Sequence, residues 1–267
     1  MVRKLLVGFS VILLTLTPTL PVFAQTSSVL PGSDYTLAYI RNRNSLYSAN
    51  NNDGTPGYHN NTFTIFSDHE NRRKALISAP HAVRHIRNSE AKTTDAHTGG
   101  MARILGLMDA DEARTFVVTN VYNDPNDPRD PNFDPYEDCT YTQQVVDFID
   151  RYDIRFVLDL HAAAFRRPFD IAFGTNHDET IGNREDIRSL IYEVNEGYGF
   201  VIDYNETFPA TNPNTVTRKV YDQTGVYAIQ VEINGRYRLL GGGTVEEYNR
   251  MMDFLKDIIR SLDELLG

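Results

Sequence analysis

His81 stands directly after the apolar run ALISA and Pro80, His161 closes RFVLDLH, and Glu232 sits near the end of VYAIQVEI. The two histidines, delivered from separate strand ends, would need one further acid to make the donor set of a catalytic zinc site, which takes three protein ligands and keeps a fourth position open. Imidazole and carboxylate suit zinc, whereas calcium or magnesium would draw an all-oxygen set. Two acids, Glu90 and Asp95, follow His81 within the stretch LISAPHAVRHIRNSEAKTTDAHTGG. Asp95 is favoured because it stands just before the helical segment HTGGMARILGLM, where backbone N–H groups hold and aim a carboxylate. A plain N-cap is its competing role, and Glu90, in a segment that reads as a loop, is the alternative ligand. His85, in the basic stretch HAVRHIRN, and His97, in the first helical turn, are left out, because a histidine taken at random is more often structural or solvated than a ligand.

A hydrolytic metal site also needs a carboxylate outside the ligand set to orient water and carry its proton to the leaving group. Glu232 fits that role, since it interrupts an otherwise apolar strand where an unpaired charge is costly. A salt bridge from Glu232 to Arg236 or Arg238 is the structural alternative. Asp159 lies two residues before His161, on the same face of a strand, and can orient that imidazole or simply bond backbone N–H groups. Arg84, Arg87, Arg166, Arg167, Arg236 and Arg238 flank these clusters in an acidic chain. Guanidinium groups beside a metal suit an anionic substrate. Arg166 and Arg236 are the first candidates to grip its carboxylate, with Asn132 in DPNFD adding a hydrogen bond, although at least half of these arginines are expected to pair with acids.

The elements that position these residues are legible as alternation. The runs FTIFS, ALISA, TFVVTNV, RFVLDLH, FDIAFG and VYAIQVEI read as strands, and segments near 96–107, 137–151 and 184–198 as helices. Thr244 and Glu247 form a capping box ahead of a long amphipathic carboxyl-terminal helix. Strands apolar on both faces and spaced by helices predict an α/β fold, a three-layer sandwich around a mixed, mostly parallel sheet. Ligands in open α/β sheets bind outside the carboxyl ends of the strands, which is where His81, His161 and Glu232 fall. The loop over 122–139 has the length and composition of an active-site rim.

The first 24 residues read as a secretory signal: Arg3 and Lys4, the apolar run Leu5 to Leu14, then Val22-Phe23-Ala24 before cleavage near Gln25. Residues 25–62 form a loop-rich lead-in, and 63–267 one α/β domain. The product is expected to be secreted or periplasmic, with no membrane anchor after signal removal. Net charge is −10, and loss of Arg3 and Lys4 with the signal makes it −12, which argues against a nucleic-acid partner. Cys139 is the lone cysteine, so no intrachain disulfide forms, and it reads as a small half-buried residue.

SAPHA, DLHAA and IQVEIN, in that order, resemble the N-formylglutamate amidohydrolase-like family, over about residues 74 to 240. That family is similar in fold to zinc carboxypeptidases and succinylglutamate desuccinylase. The resemblance implies a phosphorylase/hydrolase-like fold and a Zn2+-dependent amidohydrolase cleaving a C–N amide bond in an N-acyl amino acid or a small, peptide-like acidic substrate. By motif it makes His81 and His161 zinc ligands and Glu232 the general acid/base, with Asp95 in the acidic ligand position. The carboxypeptidase relatives use H-x-x-E, and here Arg84 stands where that acid would be. With a signal sequence and PHA in place of PHS-Gly, peptidoglycan-derived or poly-γ-glutamyl amides are better expected substrates than formylglutamate. The rival reading is an exported binding protein of the same fold for an acidic small molecule. Serine hydrolysis ranks last, because no G-x-S-x-G occurs and Ser78 sits in an apolar strand.

Overall fold

The computed structural model describes residues 72–82, 85–107, 114–119, 130–238 and 243–267. The expected signal over 1–24, the lead-in over 25–62, the FTIFS strand, Arg84 and residues 120–129 of the rim loop lie outside the described residues. Six strands build the main sheet in the order β4 (Arg114–Thr119), β1 (Arg72–Ala79), β5 (Phe156–Ala163), β8 (Tyr227–Asn234), β6 (Ile171–Gly174) and β7 (Ile202–Tyr204). The first four run parallel, β6 is antiparallel to β8, and β7 is parallel to β6. This is the mixed, mostly parallel sheet that the alternating pattern implies.

Period-two alternation explains the layers. Ile77, Leu158, Ile229 and Phe173 point to one face, where they pack with α1 (Thr98–Leu107), α3 (Glu185–Glu196) and α5 (Val245–Leu266). Leu76, Val157 and Ala228 point to the other, beneath α2 (Thr140–Tyr152) and α4 (Val216–Thr224). Parallel strands covered on both faces must be apolar on both, which is why β5 is buried along nearly its whole length. The capping box forms as read: the Thr244 hydroxyl accepts from Glu247 N at 3.2 Å, and the Glu247 carboxylate accepts from Thr244 N at 2.8 Å. Eight α5 side chains, Phe254 among them, are buried against the sheet.

Three elements depart from the sequence reading. The basic stretch after His81 is a hairpin of β2 (His85–Arg87) and β3 (Glu90–Lys92). Its two turn residues, Asn88 and Ser89, both take positive φ, 52° and 63°, as a type I′ turn requires. Strand β7 has only three residues, too few for a visible alternation. Helix α4 offers only Val216 and Val220 as an apolar stripe, although its Thr215 N-cap and its Gly225 C-cap at φ 72° mark both ends. Cys139 is fully buried rather than half-buried and accepts from the Thr142 hydroxyl at 3.3 Å.

Candidate metal centre

On the face covered by α2 and α4, the strands climb from apolar to polar toward their carboxyl ends. Leu76, Val157 and Ala228 are paired across β1, β5 and β8, and two residues further on so are Ser78, Asp159 and Gln230. One more step brings His161 opposite Glu232. All of the polar members are buried, and Ser78 is bonded to the Tyr141 hydroxyl at 2.8 Å. Burial of so many polar groups is tolerated only where they satisfy one another or a ligand.

His81 joins from the turn after β1. Its Nδ1 lies 3.4 Å from Asp95 Oδ2, and His161 Nδ1 lies 3.0 Å from the same oxygen. The opposite nitrogens face other carboxylates: His81 Nε2 is 2.8 Å from Asp130 Oδ1, and His161 Nε2 is 2.8 Å from Asp159 Oδ2. Two Nδ1 atoms and one carboxylate oxygen therefore converge, while each imidazole is backed at Nε2 by an acid that fixes its tautomer and raises its basicity. Asn132 Nδ2 also lies 3.0 Å from His161 Nε2. One nitrogen cannot both donate to Asp159 and accept from an amide, and the charge-assisted bond to the carboxylate is the stronger.

The donor set fits zinc: two imidazoles and one carboxylate, converging and supported from behind. His81, His85 and Asp130 also converge, with the His81 and His85 rings stacked at 3.9 Å between centroids. However, Arg87 Nε donates to Asp130 Oδ2 at 2.6 Å, so this acid is already neutralised. The second group therefore supports the first rather than competing with it.

Charges in the cluster are strongly coupled. Burial alone would lower His161, but Asp159 and Asp95 outweigh it and hold the imidazole well above its ordinary range. His81 is raised as well, burial being overcome by Asp130 and Asp95. Burial opposes ionisation of Asp95 and Asp130 too, yet the histidines around them, with Arg87 for Asp130, hold both below the usual carboxylate range. Glu232 goes the other way: burial, with added repulsion from Asp95 and Asp159, pushes its carboxyl up to about 7 despite attraction from His161 and His81. Gln230 Nε2 donates to Glu232 Oε1 at 3.2 Å and orients it.

The structure thus brings His81, Asp95, His161, Glu232, Asp159 and Asn132 together. Asp95 does not cap α1 with its carboxylate; its carbonyl takes the Thr98 N–H at 3.2 Å and hydroxyl at 2.8 Å, which leaves the side chain for the histidines. Glu90 lies instead on the exposed side of the hairpin, paired with Lys92 at 2.6 Å. Glu232 forms no salt bridge with Arg236 or Arg238. Arg236 pairs with Glu247 at the start of α5, and Arg166 is exposed beyond β5 with no contact to the cluster among the described residues. Arg238 donates to the carbonyls of Ala96 at 2.6 Å, Ala163 at 2.9 Å and Ile233 at 3.0 Å. Each carbonyl lies one or two residues past Asp95, His161 or Glu232, so this guanidinium ties the three segments of the candidate site together.

Sequence reasoning missed Asp130, which backs His81. Asp130 sits in a Pro/Asp/Asn run where nothing distinguishes one acid from its neighbours. Its loop is held from α4: Val216 N donates to Asn132 Oδ1 at 2.7 Å, and the buried Lys219 Nζ donates to the Pro131 carbonyl at 3.0 Å.

No family model and no curated protein matches this sequence. Solved structures do. N-formylglutamate amidohydrolase from Ralstonia eutropha JMP134 superposes with a TM-score of 0.50 at 12% identity, covering 78% of this chain and 98% of that one, and the two share a fold. A metallo-carboxypeptidase from Pseudomonas aeruginosa gives 0.46 at 12% identity, covering 74% of this chain and 58% of its own. A bacteriophage poly-gamma-glutamate hydrolase gives 0.42 at 15% identity, covering 78% and 89%. Among the described residues no helix is long and apolar enough to cross a membrane.

Proposed function

We propose that this protein is an exported zinc-dependent amidohydrolase, cleaving a C–N amide bond in an N-acyl amino acid or peptide-like substrate that bears a carboxylate. The observation that carries this reading is the paired support: two Nδ1 atoms meet Asp95, while each Nε2 rests on its own buried acid, Asp130 or Asp159. His81, Asp95 and His161 would hold the ion, which when bound polarises a carbonyl and lowers the pKa of water toward ~7.

The chain's own residues do the rest. Glu232 sits buried on the strand beside His161, outside the ligand set, where it can take a proton from the attacking water and return it to the leaving amine. Gln230 Nε2 keeps the Glu232 Oε1 in place, and the burial of both strengthens their interaction. Asn132, fixed by the α4 N-terminus, stands ready at the rim to bond a substrate carbonyl or amide. Export rests on the basic start and apolar run over residues 1–24, and the secreted chain is expected to begin at Gln25, read by intact mass.

The test is elemental analysis of the purified mature protein. Wild type is expected to carry about one zinc per chain, with His161→Ala and Asp95→Ala losing it and Glu90→Ala keeping it. A wild type that stays metal-free in added zinc sinks this reading and leaves a binding protein of the same fold.

A further inference from the structure

The proposed reaction leaves open which residue recognises the part of the substrate that does not react. The arginines first favoured for this are engaged or remote: Arg236 pairs with Glu247, Arg238 bonds three backbone carbonyls, and Arg166 lies exposed beyond β5. Elsewhere Arg184, Arg218 and Arg260 pair with Asp186, Glu179 and Asp257.

Arg87 is different. It leaves the β2–β3 hairpin and reaches the metal centre from behind His81. Its Nε donates to Asp130 Oδ2 at 2.6 Å, while Asp130 Oδ1 holds His81 Nε2 at 2.8 Å. One carboxylate thus stands between this guanidinium and a metal-ligating imidazole. The guanidinium lies over the Phe133 ring, 5.2 Å from its centroid, in the same loop that brings Asn132 to His161. Held at Nε and over the ring, the group is fixed in orientation, and its side chain is still 34% exposed. Among the described residues its two Nη groups form no hydrogen bond or ion pair. A planar guanidinium fixed in orientation, with two parallel Nη donors left over, is the arrangement that binds a carboxylate bidentately.

We propose that Arg87 is the specificity-determining residue of this site, binding a carboxylate of the substrate through its Nη edge with Phe133 as the floor. The substrate class is then an amide with a free carboxylate a few bonds from the scissile carbon, either an acyl-amino acid or a γ-linked glutamyl compound. This inference rests on the zinc reading above.

Glutamine separates the two duties of Arg87. Its amide nitrogen occupies the same place along the side chain as the arginine Nε, so Arg87→Gln keeps the donor to Asp130 and removes the Nη edge and its charge. The measurement is calorimetric binding of succinate, glutarate and adipate, each against its mono-amide, to zinc-loaded mature protein, with zinc content determined on the same samples. Wild type is expected to prefer at least one diacid by about tenfold or more, and Arg87→Gln to lose that preference while keeping its zinc. Zinc-loaded wild type without any preference, or Arg87→Gln that retains one, overturns the assignment and leaves the zinc reading standing. Wild type that takes up no zinc overturns both. Should Arg87→Gln itself lose zinc, the question passes to the wild type: a preferred diacid must shield Arg87 from phenylglyoxal, read by peptide mass spectrometry, and unshielded modification rejects the proposal.

Discussion

Asp130 and Asp159 do the same work for different histidines, and this symmetry makes a prediction. Each acid holds an Nε2 at 2.8 Å, so each fixes the lone pair on the opposite nitrogen. Asp130→Asn is expected to weaken zinc binding about 10- to 100-fold, the usual cost of removing such a partner, with the fold retained. Competition with a zinc chelator measures it, and unchanged affinity would show that Asp130 only anchors its loop. Glu232 carries a prediction of opposite character. Its folded value of about 7 lies above the ordinary 4.5, so in metal-free protein its contribution is fully present below pH 4.5 and is lost as pH rises to 7. Glu232→Gln undergoes no such loss. It should gain on wild type by an amount on the order of 3 kcal/mol between pH 4.5 and 7 and no more beyond, read by urea unfolding at pH 4.5 and 8 without metal. Parallel pH profiles would mean the carboxyl is solvated. These residues were unequally legible in the sequence. His81, His161 and Glu232 stand out because polar residues at the ends of apolar runs are rare, whereas Asp130 has acidic neighbours on either side, and only three-dimensional contact selects it.

Strands and helices with a full period were readable from sequence; short or thinly striped ones were not. Helix α5 shows its capping box and a continuous apolar face, but α4 has two apolar positions and β7 three residues, too little for periodicity to register. The cost of missing α4 falls on the candidate site, because its first turn holds the Asp130–Phe133 loop. Arg238 presents a related case, since a flanking arginine reads from sequence as a surface charge or a substrate contact. In the fold it joins the turn before α1 to the ends of β5 and β8 by three bonds to carbonyls. Hydrogen bonds from a charged donor contribute about 1.5–3 kcal/mol each, and losses at one side chain overlap, so Arg238→Met is expected to cost about 2–4 kcal/mol. Because the three carbonyls flank Asp95, His161 and Glu232, zinc affinity should fall with it. Phe254→Ala is the control: it empties the aromatic cluster with Phe173, Tyr198 and Phe200, costs about 3–5 kcal/mol, and should leave zinc affinity in the surviving folded protein intact. Equal zinc loss in both variants would make Arg238 one more packing residue.

At the scale of the whole molecule, the site joins the two halves of the sheet. His161 and Glu232 come from its central strands, His81 and Asp95 from the crossover between β1 and α1, and Asp130 from the loop ahead of α2. Any ligand of this cluster therefore ties together segments distant in sequence, so zinc should stabilise the entire domain by an amount set by its free concentration over its dissociation constant. The pH dependence of that gain follows from the imidazoles. Without metal, His161 and His81 keep their protons above the ordinary 6.5, which means that zinc must displace protons to bind. A raised value contributes stability to the metal-free fold below pH 6.5 and loses it as pH climbs through the folded value, the range in which zinc gains by no longer competing with a proton. At constant buffered free zinc, the stabilisation should grow by about 1.4 kcal/mol per pH unit for each proton displaced, so it must be larger at pH 8 than at pH 6. Urea unfolding at both pH values, with and without zinc, reads the difference directly, and His161→Ala should show little zinc stabilisation at either. An equal gain at pH 6 and pH 8 would place the ion on ligands other than these two imidazoles.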